Sequence, residues 1–145
     1  MDKKVEKQMA KMVESVQPNC DERIIAAMTC SHAGSMGSVL LSKLAGGIGA
    51  IARTSELPNP VFIAVGEKSI YAFDYAPKGF KFKIKKEAAR WAREKVSVSS
   101  EFSRGMANFV ITNDSGDNYA FEVPTMMGGK ELVEYFLGVL GGSIE

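Results

Sequence analysis

From Phe80 to Lys85 the chain reads Phe-Lys-Phe-Lys-Ile-Lys, an unbroken alternation of apolar and basic residues. Only an extended strand repeats its side chains every two residues. One face of the segment therefore carries Phe80, Phe82 and Ile84, and the other carries Lys81, Lys83 and Lys85. A helix would spread both sets around its circumference. The predicted element is a half-buried strand whose outer face is a lysine ridge, and its neighbours must be strands able to pair with it.

The surrounding chain supplies them. Val61, Ile63 and Val65 share one face, Gly66-Glu67-Lys68 turns, and Ile70 to Tyr75 returns as the second arm of a hairpin. Pro77-Lys78-Gly79 turns again into the lysine strand. Val96 to Ser99 is a further strand, and Arg104-Gly105 a turn. Asn108 to Thr112 and Tyr119 to Val123 pair across Asn113-Asp114-Ser115-Gly116-Asp117-Asn118, a run of turn-forming residues. Glu87 to Arg93, which contains Ala88-Ala89-Arg90-Trp91-Ala92, is expected to form a short helical or irregular turn. Asp21 to Ser31, short, apolar and rich in small and branched residues, reads as a strand, with a helix as the alternative. The count is about seven strands.

Two segments have the helical period instead. Val5, Met9, Met12, Val13 and Val16 form one stripe in residues 2–16, which Pro18-Asn19 stops. A lone amphipathic helix cannot bury its stripe, so it docks on the domain, pairs with another chain or lies on a membrane. Docking is the simplest outcome. Leu132, Val133, Phe136, Leu137 and Leu140 form a second stripe, closed by Gly141-Gly142.

Seven short antiparallel strands followed by one amphipathic helix is the plan of a pleckstrin-homology-like (PH-like) barrel. The hairpin from Val61 to Phe73, the basic-tryptophan-acidic run from Ala89 to Val96 and the Gly-rich stretch before the hairpin resemble bacterial PH-like domain proteins of unknown function. The resemblance spans roughly residues 21–140. It implies a mainly β fold: an antiparallel barrel or two orthogonal sheets, capped by the C-terminal helix, with an extra N-terminal helix. It also implies a division into residues 1–18, the first helix, and 21–145, the PH-like domain, with a Gly-rich insertion at 33–58. In such a barrel the C-terminal helix plugs one open end. The motifs are patterns of hydrophobicity and carry no catalytic signature.

Composition narrows the function classes. The chain has 145 residues, 46% hydrophobic and 24% charged, with a net charge of +1. That suits one globular domain and excludes a strongly basic DNA-coating protein or an acidic disordered one. Cys20 and Cys30 form neither a CxxC nor a Cys/His cluster, and are read as two reduced thiols. The first residues lack an apolar core, so no secretory signal is expected, and the expected location is cytoplasmic.

Several short motifs imitate chemistry. Gly47-Ile48-Gly49-Ala50-Ile51-Ala52 matches GxGxxA, but Pro58 leaves no room for the helix a dinucleotide site needs. His32 is the only histidine and has no ligand set around it. Cys30 and His32 are spaced i,i+2 on a strand, out of reach for a nucleophile and its base. Asp114 and Asp117 bracket a loop half the length of an EF-hand loop. We expect no cofactor, no metal and no nucleic acid, and no catalytic residues.

Charge distribution is the more informative signal. Between Lys78 and Arg104 nine basic residues face three acidic ones, net +6, and from Asn113 to Glu145 the balance is −5. Lys81, Lys83, Lys85, Lys86, Arg90 and Arg93 are the candidate residues for binding an anion or a partner. The ridge fits an anionic membrane surface or a contact between subunits, or it serves only to keep an exposed strand from pairing. The expected function is a non-catalytic binding or interaction module whose partner is a protein, a second copy of the chain or an anionic membrane. The alternative is a small-ligand-binding protein or enzyme using a barrel pocket lined by Tyr71, Phe73, Tyr75, Phe80, Phe82 and Trp91. Those aromatics equally suit a filled core. The Gly-rich stretch has its own three readings: tight packing, a loose loop, or lipid contact through Val39, Leu40, Leu41, Leu44, Ile48 and Ile51.

Overall fold

The computed structural model describes residues 2–33, 51–79, 81–103, 105–125 and 129–142. Helix α1 spans Lys3–Val16. Asp2 caps it, its Oδ1 accepting from the Lys4 N–H at 2.9 Å. Val5, Met9, Met12 and Val16 are buried, the stripe the spacing predicts. A 3-10 turn, Gln17–Asn19, ends the helix at Pro18. The Gln17 side chain then directs the chain onward, donating to the Glu22 carbonyl at 2.7 Å and accepting from the Ile24 N–H at 2.9 Å.

Among the described residues eight strands follow: β1 (Ile24–His32), β2 (Ile51–Ala52), β3 (Val61–Gly66), β4 (Ser69–Lys78), β5 (Lys81–Ala92), β6 (Val96–Ser103), β7 (Met106–Asn113) and β8 (Asp117–Pro124). Helix α2 (Lys130–Leu140) closes the described chain. The sheet order is β5-β4-β3-β1-β8-β7-β6, with all these pairs antiparallel. The two-residue β2 lies alongside β8 in parallel. Strand β1 turns the sheet. Through Cys30 it pairs with β3, and at Ser31 and His32 it pairs with β8. The far ends of the path, β5 and β6, are joined by a 3-10 turn, Arg93–Lys95. The result is the mainly β architecture expected from the sequence, consistent with a PH-like fold.

Both faces of the β1/β3/β4 sheet are covered, which is why β3 is buried along its whole length. On one face Phe62, Tyr75 and Phe82 meet edge-to-face at 5.6–5.7 Å. Phe82 there adjoins Lys11, Glu14 and Ser15 of α1. Met9, Met12 and Val16 join the same continuous core as the strands, so the first helix docks on its own chain. On the other face Trp91 packs against Tyr119 at 4.9 Å. Phe136 of α2 meets Phe109, which stacks on Phe121. Helix α2 thus fills the barrel with Val133, Phe136, Leu137, Val139 and Leu140.

Two predictions fail. The turn expected at Pro77-Lys78-Gly79 begins later, because cross-strand pairing of Pro77 with Phe82 and of Lys78 with Lys81 carries β4 on through Lys78. The Ala88–Ala92 run is neither helical nor irregular but the second half of β5, paired with Ser69 to Ala72. Local propensity favours helix for Glu-Ala-Ala-Arg-Trp-Ala, but burial of Trp91 against Tyr119 and the open edge of β4 outweigh it. The short helical turn follows directly after Ala92, at Arg93–Lys95.

The Asn113 turn is as predicted. Asn113 Oδ1 accepts from the Ser115 and Asp117 N–H groups, and Gly116 has φ +86°. Residues 34–50 of the Gly-rich insertion lie outside the described residues, as do most of the GxGxxA match, Phe80 and Arg104.

Candidate functional site

The β4–β5 hairpin carries the lysines. Lys83 pairs across the ladder with Ala76 and Lys81 with Lys78, while Tyr75 faces Ile84 and Pro77 faces Phe82. Cross-strand partners share a face, so Lys78, Lys81 and Lys83 lie on one side of the hairpin. Phe82 and Ile84 lie on the other, packed against the core. Lys81, Lys83, Lys85 and Lys86 are all exposed. Among the described residues none of the four forms an ion pair. The register also sets Lys78 directly against Lys81, a like-charge pair that disfavours the hairpin unless something anionic screens it. Lys78 is the member the sequence-based selection missed. The turn expected at Pro77-Lys78-Gly79 would have put Lys78 in the loop, whereas β4 runs on to Lys78 and β5 begins at Lys81, which sets the two lysines opposite each other.

The two arginines in the predicted set are engaged elsewhere. Arg90 Nη1 lies 3.2 Å from Asp21 Oδ2 and Nη2 lies 2.8 Å from Glu87 Oε1. Its guanidinium sits 4.6 Å from the centre of the Tyr71 ring. Hydrogen bonding to Glu87, then to Asp21, holds Arg90 above its ordinary pKa. Arg93 donates to the Gly66 carbonyl at 3.0 Å and to the Val139 carbonyl in the last turn of α2. It is a half-buried strut between the β3–β4 turn and α2.

Beneath Arg90 is a second polar cluster. The Tyr71 hydroxyl lies 2.8 Å from both Asp21 Oδ1 and Glu22 Oε2, so one phenolic proton serves two carboxylates. Burial and then those carboxylates push the Tyr71 hydroxyl above its usual pKa. The Tyr71 hydrogen bond, followed by that of Arg90, holds Asp21 below its ordinary value. Burial pushes the Glu22 carboxyl up. Hydrogen bonds from the Lys68 N–H, the Tyr71 hydroxyl and Ser69 outweigh that push and leave it lowered. Gly66 makes room for Glu22: a Cβ there would lie 2.4 Å from Glu22 Oε1.

Carboxyls lowered in the folded state stabilise it fully above their unfolded pKa values, about 4, and lose that contribution as pH falls through the lower folded values. Stability is therefore expected to decline below about pH 4, and Tyr71→Phe to flatten that decline. Urea midpoints measured from pH 6 to pH 2 test this. An equally steep decline in the variant would show that the Tyr71 contacts are not its source.

The other candidates have structural partners. His32 Nε2 bonds the Pro58 carbonyl at 2.9 Å. Asp117 lies 3.1 Å from Arg53 Nε and accepts from Asn113. Both cysteines are free thiols. Burial pushes Cys20 up to about 11 and Cys30 higher still, so neither is a thiolate at neutral pH. Asn108, 1% exposed, has no hydrogen-bond partner for its amide among the described residues. Nothing in the sequence marks it. A recess of about 200 Å³ at the barrel mouth is lined by Ile70, Arg93, Val98 and Leu140. That is smaller than ordinary small-molecule pockets, which run from about 300 Å³ upward. A cleft of about 460 Å³ lies between α1 and the hairpin, lined by Lys11, Glu14, Ser15, Lys81 and Phe82.

No protein-family model and no curated protein sequence matches the chain. Among solved structures, the chain is similar to one of Vav1 inhibited by an allosteric inhibitor, at 13% identity and a TM-score of 0.47. The match covers 94% of this chain and 34% of that one, so this chain spans about a third of the Vav1 structure. The fold assignment rests on strand order and register. No helix among the described residues is long and apolar enough to cross a membrane.

Proposed function

We propose that this protein is a non-catalytic binding module whose β4–β5 hairpin engages an anionic partner, in the first place an acidic membrane surface. The observation that carries the reading is the row Lys78, Lys81 and Lys83, extended by Lys85 and Lys86, exposed and without ion pairs among the described residues. Intramolecular partners hold Arg90 and Arg93, so the binding set contracts to the lysines. Each lysine near an acidic bilayer contributes about 1 kcal/mol, screened by salt beyond a Debye length. A filled interior supports a surface-binding module over a ligand carrier: Trp91, Phe109, Phe121 and Phe136 occupy the core.

Co-sedimentation with phosphatidylserine-containing vesicles at low salt tests the reading. Lys81→Ser, Lys83→Ser and Lys85→Ser together are expected to remove about 2 kcal/mol, or about thirtyfold in affinity, since not every lysine reaches the surface at once. Neutral vesicles are expected to bind neither protein. Undiminished binding by the triple variant would refute the assignment.

A further inference from the structure

The two strands at the ends of the sheet path have opposite characters. The β5 edge carries Lys81, Lys83, Lys85 and Lys86, a charge row that repels a second strand. The β6 edge, Val96–Ser103, carries one charge, Glu101, and is otherwise serine, valine and phenylalanine. It pairs with β7 on one side only. Phe102, 43% exposed, is the exposed large hydrophobic residue among those described. Val98, Ser100 and Phe102 stand opposite Ile111, Phe109 and Ala107, so they share the core-facing side. Ser99 and Glu101 share the outer one. An uncharged edge with an uncovered phenylalanine is the kind of strand that takes another strand.

We infer that β6 pairs antiparallel with β6 of a second copy of this chain, across a two-fold axis at Ser100. The sequence of the strand is self-complementary in this register. Centred on Ser100, Val98 of each copy faces Phe102 of the other, giving two cross-strand apolar pairs on the core-facing side. Ser99 of each copy faces Glu101 of the other, so no like charges meet. Centring on Glu101 would set the two carboxylates against each other. A lysine-bearing strand such as β5 cannot pair with itself in this way. The contact is isologous and closes at two copies. It is independent of anion binding by the hairpin, and the Lys81/Lys83/Lys85 variant is expected to dimerise unchanged.

Sedimentation equilibrium of the full chain from 5 to 200 µM is the primary test, with a dimer expected. Phe102→Lys is expected to weaken it at least tenfold while circular dichroism shows the fold retained. Ser99→Lys places a cation opposite the partner's Glu101 and is expected to tighten the dimer severalfold, a gain that damage to the fold cannot imitate. Ser100→Cys is expected to form a disulfide-linked dimer under mild oxidation, because facing residues across the axis lie within disulfide reach, and Ser103→Cys is not. A wild-type chain that stays monomeric throughout the range would overturn the inference. So would a dimer indifferent to all three changes, which would place the contact on another face.

Discussion

Phe136→Ala is expected to lower the free energy of unfolding by roughly 3–5 kcal/mol. Phe136 has no exposed surface and meets Phe109 edge-to-face at 5.8 Å, and Phe109 stacks on Phe121 at 5.0 Å. Truncation removes one member of this three-ring stack and leaves a void between α2 and the β7/β8 sheet. Helix α2 has 11 residues, too few to persist in water without its apolar face buried. The void therefore acts on the docking of the whole helix as well as on one side chain. Urea titration followed by tryptophan fluorescence measures the loss, because Trp91 packs against Tyr119 in the same barrel. A loss below about 1 kcal/mol, within the ordinary range for surface substitutions, would mean that α2 does not seal the barrel.

Arg93→Ala is expected to cost roughly 3 kcal/mol and to leave vesicle binding unchanged. Two charge-assisted bonds are lost, to the carbonyls of Gly66 and Val139, and with them a side chain that ties the β3–β4 turn to α2 by both arms. Arg93→Lys is expected to recover about half, because an ammonium reaches one carbonyl but lacks the planar fork that spans two. The pair of measurements separates the two roles this residue has been given. A candidate for anion recognition would weaken binding and spare stability. A strut does the reverse. Stability unchanged within 0.5 kcal/mol in Arg93→Ala, the scatter typical of surface sites, would return Arg93 to the binding set.

Where side-chain period and burial agree, the fold was legible. The α1 stripe, the β3–β4 hairpin, the Asn113 turn and α2 each combine a clear period with a proper stop signal. Ala88 to Ala92 was illegible for a physical reason. Its helix-forming alanines are overruled by a distant event, the seating of Trp91 on Tyr119, which no local window contains. The lysine row was legible because alternation alone decides which side chains share a face. The fate of Arg90 and Arg93 was not. Their partners Asp21, Gly66 and Val139 lie 27 to 69 positions away in sequence, and a count of charges treats a guanidinium engaged by such partners like one in water. Asn108 is a further limit, since an amide on a strand bears no mark of whether its partners will be present.

The change of partner along β1 also sets an order of events during synthesis. Ser31 and His32 must wait for Phe121 and Glu122, some ninety residues downstream, while β3, β4 and β5 can zip together as soon as they leave the ribosome. Joining such distant partners is entropically expensive and places folding in the slow regime of all-β topologies, about milliseconds to seconds. Until Pro124 is made, the nascent chain displays an unsatisfied margin at the end of β1, and that interval is when a chaperone has most to protect.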